Sequence, residues 1–444
     1  LNAGCNVRAV LLANVDEVRG DARINLDAFQ NMGGLVREVA DEVRWKELAA
    51  AMSHAGLVVD ALLGTGLSSD VRDLYRRVIQ DINSLESLVV VSVDIPSGID
   101  ATTGRVLEVA VKADLTCTYG LAKRGQHFYP GAEHVGRLEV IDIGIPRRLV
   151  DMAGITEHVQ EASDFAGMLP PRAADSHKGT YGHAGIIAGS PGKTGAAALA
   201  ARAAMRIGAG LVTLGVPGSL NAVLEQKVTE VMTEPLPDED GFLGHAAQDC
   251  VRNLLAGKKV IALGPGLAIR NHTCDFMCRI VEQAEVPLVI DADGLNALAL
   301  RPETFERISV PVILTPHPGE MARLLDTTVT AVQGDRPGAV RRCAQQSGAI
   351  VVLKGARSLI AAPDGELWIN PTGNPGMASG GMGDVLTGMI TGLIAQGLAP
   401  LSAVRFAVYL HGDIGDRLAE TCGRVGMLAT DMIEQIPAAL DRYV

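Results

Sequence analysis

Short runs of β-branched and other apolar residues recur along the chain, separated by polar stretches of helical length. In the first third these runs are VRAVLLA, GLVVDALLG, LVVVSVDIPSG, ADLTCTYG and RLEVIDIG, ending near Pro146. Strands buried on both faces read as continuous apolar runs rather than as alternating ones, so a parallel α/β sheet is predicted. From about Arg147 to Asp175 the rhythm is lost, and two prolines in MLPPRAADS remove backbone donors and stiffen the path. A second series follows: HAGIIAGS, LVTLGVP, KKVIALGPG, PLVIDADG, PVILTPHPGE and AIVVLKGARS. It predicts a second parallel α/β sheet. Two domains are therefore expected, residues 1–150 and 172–444, joined by a linker over residues 151–171. Most runs end in a glycine-bearing turn, and ligands of open α/β sheets gather at the carboxyl ends of strands. One ligand face per domain is expected.

Composition narrows the class. A chain of 444 residues exceeds one ordinary hydrophobic core, and 48% apolar with 20% charged residues is a globular balance. Glycines number 50, above the usual share of about 7%, which suits many tight turns and close backbone approaches to ligands. A formal charge of −12 gives no counterion-release drive toward long nucleic acid, and no basic run is interleaved with aromatics. Seven cysteines scattered from Cys5 to Cys422 make no disulfide framework, and Cys274 with Cys278 lacks a second pair for a zinc site. A cytoplasmic protein is expected. The longest uncharged apolar stretch, Val385 to Pro400, carries three glycines and falls short of the roughly 20 residues that span a bilayer. It predicts a buried helix, not a membrane anchor. The sequence opens LNAGCNVRAVLLA, without Met and already strand-like, so its first residue is not taken as the natural start.

The stretch AGSPGKTGAAALA invites comparison with a phosphate loop. Such a loop needs a Gly five residues before Gly192-Lys193-Thr194, and that position is Ile187, inside the strand. A strand-to-helix turn with Lys193 near a ligand mouth is the better reading. The stronger signal is NPTGNPGMASGGMGDVLTGMITGLIAQG, where a glycine-dense loop enters an apolar helix with Asp384 in its first turn. The amides of Met382, Gly383 and Asp384 would converge on an anion, and Asp384 could take a proton from a hydroxyl as phosphate arrives. Alone, this Asp would equally serve as a helix-dipole partner. It is accompanied by VVLKGARSLI, LGPGL, DADGLNAL and TPHPGE, which place Lys354 and His317 in turns at strand ends.

The ordered set SHKGTYGHAGIIAGS, GAAALAARAAMRIGAGLVT, GPGL, DADGLNAL, LTPHPGE, KGARS, NPTGNPGMASGGMGDVLTG and GMLATDMI resembles the ribokinase-like domain of NAD(P)H-hydrate dehydratases, over about Arg172 to Val444. DALLGTGLSSDVRDLY and VSVDIPSGIDATTGRV in the first part resemble the NAD(P)H-hydrate epimerase domain that precedes it in bifunctional repair enzymes. The resemblance implies a Rossmann-like three-layer α/β epimerase domain followed by a ribokinase-like α/β dehydratase domain. The implied chemistry is repair of NADH and NADPH that have added water across a ring double bond. ADP in bacterial bifunctional members, or ATP in eukaryotic ones, phosphorylates the new hydroxyl of the S hydrate with Mg2+ present. Loss of phosphate then restores the double bond and leaves AMP and phosphate when ADP is the donor.

Carried over position by position, Asp384 matches the family's catalytic aspartate. Lys354, Gly355, Ala356, Arg357, Ser358 and Gly383 match positions that hold the adenine nucleotide. Ala196, Gly266, His317 and Asp384 match positions around the hydrate, and Ser358 stands where many relatives have Thr. In the first domain the resemblance assigns Asp60 and Ser97 to a potassium ion, whose hardness suits oxygen ligands. It assigns Gly64, Thr65, Gly66, Leu67, Ser68, Ser69 and Asp70 to the substrate's phosphates, and Asp94 to the proton handling that swaps R and S hydrates. On its own Asp94 also reads as a turn cap before Pro96. A homo-oligomer is expected. Two rivals remain: a kinase of a small alcohol, which would release a stable phosphate ester, and a first domain that recruits a partner protein. Epimerase domains of this type also carry a Gly-Asn-Asn-Gly-Gly-Asp-Gly loop, and none occurs from Leu1 to Pro146. A weakened epimerase is the expectation from that difference.

Overall fold

The computed structural model describes residues 3–52, 55–85 and 88–443. The chain divides into two compact units between Gly154 and Ile155. The first unit runs through β1 (Arg8–Leu11), α1 (Gly20–Asn31), β2 (Leu35–Glu38), α2 (Glu42–Met52), β3 (Leu57–Asp60) and α3 (Asp73–Asn83). It continues with β4 (Val89–Val93), β5 (Leu115–Tyr119), β6 (Arg137–Ile141) and α4 (Arg147–Met152). Strands β3-β4-β5-β6 form a parallel sheet, and β1 pairs with β2 in a separate parallel pair. One face of the larger sheet is covered because α3 turns Val78, Ile79 and Ile82 inward, where they meet Trp45 of α2 and Val90 of β4. On the opposite face Leu57, Val59 and Val89 are exposed.

The second unit holds β7 (Glu157–Val159), β8 (His183–Ile187), β9 (Leu211–Pro217), β10 (Met232–Leu236) and a small hairpin of β11 (Asp238–Glu239) and β12 (Phe242–Leu243). Then come β13 (Val260–Leu263), β14 (Leu288–Ile290), β15 (Val312–Leu314), β16 (Ile350–Leu353), β17 (Leu359–Ala361) and β18 (Leu367–Ile369). Its helices begin with α5 (Thr194–Arg206), α6 (Asn221–Lys227), α7 (Val251–Leu255), α8 (Asn271–Gln283), α9 (Asp293–Leu300) and α10 (Pro318–Leu324). They end with α11 (Val329–Gly334), α12 (Arg336–Ser347), α13 (Met382–Ala395), α14 (Pro400–Cys422) and α15 (Ala429–Leu440).

One ten-stranded sheet carries this unit, in the order β10-β9-β8-β13-β14-β15-β16-β17-β18-β7. The expected parallel pairing holds from β10 to β16. It stops at β17, which runs antiparallel to both neighbours because β16 and β18 flank it through short connections. Each apolar run singled out in the sequence contains a strand. Residues 155–171, expected as linker, belong instead to the second unit: β7 pairs with β18, and Phe165 is fully buried beside Phe406, ring centroids 5.4 Å apart. β7 reads Glu-His-Val, with one apolar residue, and leaves no apolar run to read.

The run from Val385 becomes α13, buried from Val385 to Ala395. It lies against the alanine face of α5, so closely that a Cβ on Gly388 would stand 2.2 Å from the Ala200 carbonyl oxygen. Among the described residues no helix is long and apolar enough to cross a membrane.

Candidate active sites

In the second unit, the parallel strands β8, β13, β14, β15 and β16 all deliver their following loops to one edge of the sheet. β14 is followed directly by Asp291, almost wholly buried. Lys354, just after β16, donates to its Oδ1 at 2.7 Å, and Thr387 on α13 donates to its Oδ2 at 2.9 Å. Glu320, in the first turn of α10 and also buried, puts Oε2 3.9 Å from Lys354 Nζ. Burial pulls the Lys354 pKa down, but the carboxylates of Asp291, Glu320 and Asp384 outweigh it and hold the pKa above the ordinary lysine value. Glu320 moves up, chiefly by burial.

Asp384 occupies the first turn of α13, whose N-cap Gly381 adopts a left-handed φ of 91°. Burial, with a smaller push from the Asp291 carboxylate, raises its pKa to about 7 against the pull of Lys354. An acid poised near neutrality at a helix N-terminus can accept a proton under working conditions. Gly383 brings the backbone of α13 close to the cluster: a Cβ there would lie 3.2 Å from Lys354 Nζ and 3.7 Å from Asp291 Oδ2. Behind the loop, Asp416 of α14 accepts from the Gly373 amide at 2.8 Å and the Asn374 side chain at 2.9 Å. Burial pushes the imidazole of His411, bonded to the backbone of Met382, down to about 4, so it supports the start of α13 as a neutral ring.

The Lys354–Ser358 loop is clipped down. Gly355 takes a φ of 135° and Arg357 one of 53°. Arg357 donates to the Pro371 carbonyl at 2.6 Å, and the Asn370 amide donates to the Ser358 carbonyl at 2.9 Å. Ala356 is left exposed at the tip. Arg336, at the start of α12, lies close under the loop, 3.2 Å from where a Cβ on Gly355 would sit. Ala196 and Gly266 adjoin, since a Cβ on Gly266 would be 3.3 Å from the Ala196 methyl group and 2.8 Å from the Lys193 carbonyl. Lys193 itself reaches Asp293 at 3.1 Å, and Ile187 closes β8 as the failed phosphate-loop match requires. His317 is the N-cap of α10: its Nδ1 accepts from the Gly319 amide at 2.9 Å, and its own amide donates to Glu320 Oε2 at 2.8 Å. Asp384, Gly383 and Lys354 thus meet, and His317 joins them through Glu320. Asp291, Glu320, Thr387 and Arg336 escaped the sequence reading, although Asp291 and Glu320 sit inside DADGLNAL and TPHPGE.

In the first unit, Asp60 at the end of β3 and Ser97 after β4 are buried together. Asp60 Oδ1 accepts from the Ser97 hydroxyl at 2.6 Å, and Oδ2 accepts from the Ser97 amide at 2.9 Å and the Ser92 hydroxyl at 2.7 Å. Among the described residues no cationic side chain pairs with this buried carboxylate, and a carboxylate beside two serine hydroxyls is the hard-oxygen chemistry that fits a monovalent cation. The Gly64–Asp70 segment is the loop after β3, exposed at Gly64, Thr65, Gly66, Ser68, Ser69 and Asp70, with Leu67 half-buried. A Cβ built at Gly64 or Gly66 would meet nothing within 4 Å, which leaves open space for a ligand. Asp94 has φ 66°, the left-handed region that costs a non-glycine residue energy and clusters at functional sites. Its Oδ1 accepts from the Thr118 hydroxyl at 3.0 Å, the Tyr119 amide at 3.1 Å and the Lys123 ammonium. Burial opposes ionisation of Asp94, but these donors overcome it and hold its pKa below the ordinary carboxylate value.

Two family models match the chain: NAD(P)H-hydrate dehydratase over residues 184–438, and YjeF-related protein N-terminus over residues 1–125. The bifunctional NAD(P)H-hydrate repair enzyme of Moorella thermoacetica is 44% identical over 99% of this chain and 83% of its own length. That of Thermofilum pendens is 39% identical over 98% of this chain and 82% of its own. Among solved structures, the ADP/ATP-dependent NAD(P)H-hydrate dehydratase of Bacillus subtilis, crystallised with ATP and Mg2+, is 36% identical with a TM-score of 0.56. It covers 62% of this chain and 95% of its own. With both family models on one chain and such identity across nearly all of it, the chain belongs to the bifunctional NAD(P)H-hydrate repair enzymes.

Proposed function

We propose that the second unit dehydrates the S hydrate of NADH or NADPH at the expense of ADP, while the first unit interconverts R and S hydrates. The observation that carries the dehydratase reading is Asp384, raised to about 7 in the first turn of α13 and facing Lys354. Asp384 takes the proton of the ring hydroxyl as the terminal phosphoryl group of ADP moves to that oxygen. The α13 amides and Lys354 attract the phosphate charge during the transfer, and AMP is left behind. Phosphate then leaves the ring carbon with its C–O bonding pair, and the neighbouring ring carbon gives up a proton to solvent, so that its C–H pair becomes the restored double bond. The Lys354–Ser358 loop, with Gly383, would hold the nucleotide, and Ala196, Gly266 and His317 would line the hydrate.

No group of three or more acidic, histidine or cysteine ligands for a metal occurs among the described residues. Mg2+ would accordingly be carried mainly by the nucleotide's phosphates, whose charge it would neutralise. In the first unit Asp60 and Ser97 would hold K+, which would place a positive charge beside the Gly64–Asp70 loop where substrate phosphates bind. Seven free cysteines support a reducing, cytoplasmic setting. The test is to incubate the protein with NADH hydrate, Mg2+ and either ADP or ATP, and to follow dihydronicotinamide absorbance, AMP and phosphate together. Restored absorbance in step with AMP and phosphate is expected with ADP. A stable phosphate ester without restored absorbance would make the protein a small-alcohol kinase instead.

A further inference from the structure

Asp94 offers two carboxylate oxygens, and the first unit treats them differently. Oδ1 is saturated by the Thr118 hydroxyl, the Tyr119 amide and Lys123. Among the described residues, no donor reaches Oδ2. Lys123 is equally committed: its ammonium binds Asp94 Oδ1, the Thr118 hydroxyl at 3.0 Å and the Tyr119 carbonyl at 3.0 Å, which uses all three of its protons. Gln126, buried, ties the same two segments together. Its amide group donates to the Asp94 carbonyl at 2.6 Å, and its Oε1 accepts from the Lys123 backbone amide at 2.6 Å.

Such a latch holds a strained residue in one orientation. Asp94 keeps its left-handed φ because both its backbone carbonyl and one carboxylate oxygen are fastened to the segment after β5. We propose that Lys123 is the positioning residue of the epimerase site: it occupies Oδ1 of Asp94 and so leaves Oδ2 as the oxygen that exchanges a proton with the substrate. This rests on the reading of the first unit as an epimerase. Lys123 spends its protons on Asp94 and its neighbours, so it acts through Asp94 and not on the substrate directly. Among the described residues, Lys123 is the charged side chain that faces the Asp94 carboxylate. Tyr119 contributes its amide to that carboxylate, and Gln126 binds the Asp94 backbone carbonyl instead of the carboxylate.

The test uses the full chain as wild type, Lys123→Met and Lys123→Arg, each labelled with carbon-13 at the aspartate carboxyl, with Asp94→Asn to identify the Asp94 resonance. Loss of an opposite charge at contact distance raises an aspartate pKa by about 1 unit or more, so the Asp94 titration midpoint should climb in Lys123→Met and return in Lys123→Arg. In parallel, purified R hydrate with ADP reports epimerisation through restored dinucleotide, against the spontaneous rate. Lys123→Met should lose kcat for R hydrate about tenfold or more with little change in KM, while its rate on S hydrate, governed by the second unit, certifies folding. An unmoved Asp94 midpoint, or an unchanged kcat on R hydrate in an otherwise active chain, overturns the proposal. If the wild type fails to exceed spontaneous epimerisation, the epimerase reading falls, and the carboxyl titration alone decides whether Lys123 sets Asp94.

Discussion

Asp384 shows how far a single residue can be read before its neighbours are known. Its place in GMGD pointed to proton transfer at a helix N-terminus, but only burial, with the carboxylates of Asp291 and Asp293 nearby, explains why its pKa rises to about 7 against the pull of Lys354. Those partners come from two different strand ends, and no local pattern marks an acid as buried rather than solvated. Asp384→Asn should retain the fold and lose at least about a hundredfold in dehydration of the S hydrate, the lower end of general-base contributions. A near-wild-type turnover would make Asp384 a helix cap. The same variant tests the electrostatics. A carboxyl whose folded pKa lies above its unfolded value of about 3.9 contributes most to stability when protonated, and that contribution drains away as pH rises through about 7. Asn mimics the protonated form and does not titrate. Asp384→Asn should therefore melt above the wild type at pH 8, with a smaller gap at pH 5, and scanning calorimetry at the two pH values checks it. A wild type as stable as the variant at pH 8 would show that burial does not disfavour the ionised Asp384.

At the scale of elements, the parallel strands that end in glycine-bearing turns were legible, because their apolar runs stop at a marked turn, three-residue β14 and β15 included. β7, β17 and β18 were not singled out, and with them went the antiparallel turn of the sheet and the place of residues 155–171. The α5–α13 contact was half legible: AAALAARAA and the glycines of α13 announced small residues, but not that they face one another. A Cβ at Gly392 would stand 2.6 Å from the Ala204 carbonyl oxygen, one turn beyond the contact of Gly388 with Ala200. At Gly388 the nearest obstructing atom is the backbone oxygen of Ala200, so one of the two helices must move to admit a side chain there. Gly388→Val should cost about 1–3 kcal/mol by overpacking, read from urea unfolding. Because α13 carries Asp384 in its first turn, turnover should fall as well, whereas a change at an exposed helical glycine would spare it. Unfolding at the wild-type midpoint would mean that the helices are less closely packed than described.

For the whole molecule, two chemistries on one chain make a kinetic prediction that neither unit makes alone. Hydration of the nicotinamide ring produces R and S forms, and the second unit is proposed to consume only S, so complete repair requires a supply of S from R. Given an equal mixture of the two hydrates with ADP and Mg2+, the wild type should restore dihydronicotinamide absorbance toward completion. Asp94→Asn should instead give two phases: a fast recovery of about half the amplitude, from S already present, then a slow one at the spontaneous epimerisation rate. Asp384→Asn should abolish both phases, since R converted to S would still await dehydration. Adding a separate active epimerase should erase the slow phase of Asp94→Asn and leave Asp384→Asn silent. If Asp94→Asn recovers the full amplitude in one phase without that addition, Asp94 is not the proton-handling group of the first unit, and its strained backbone and Lys123 latch serve only to hold the turn after β4.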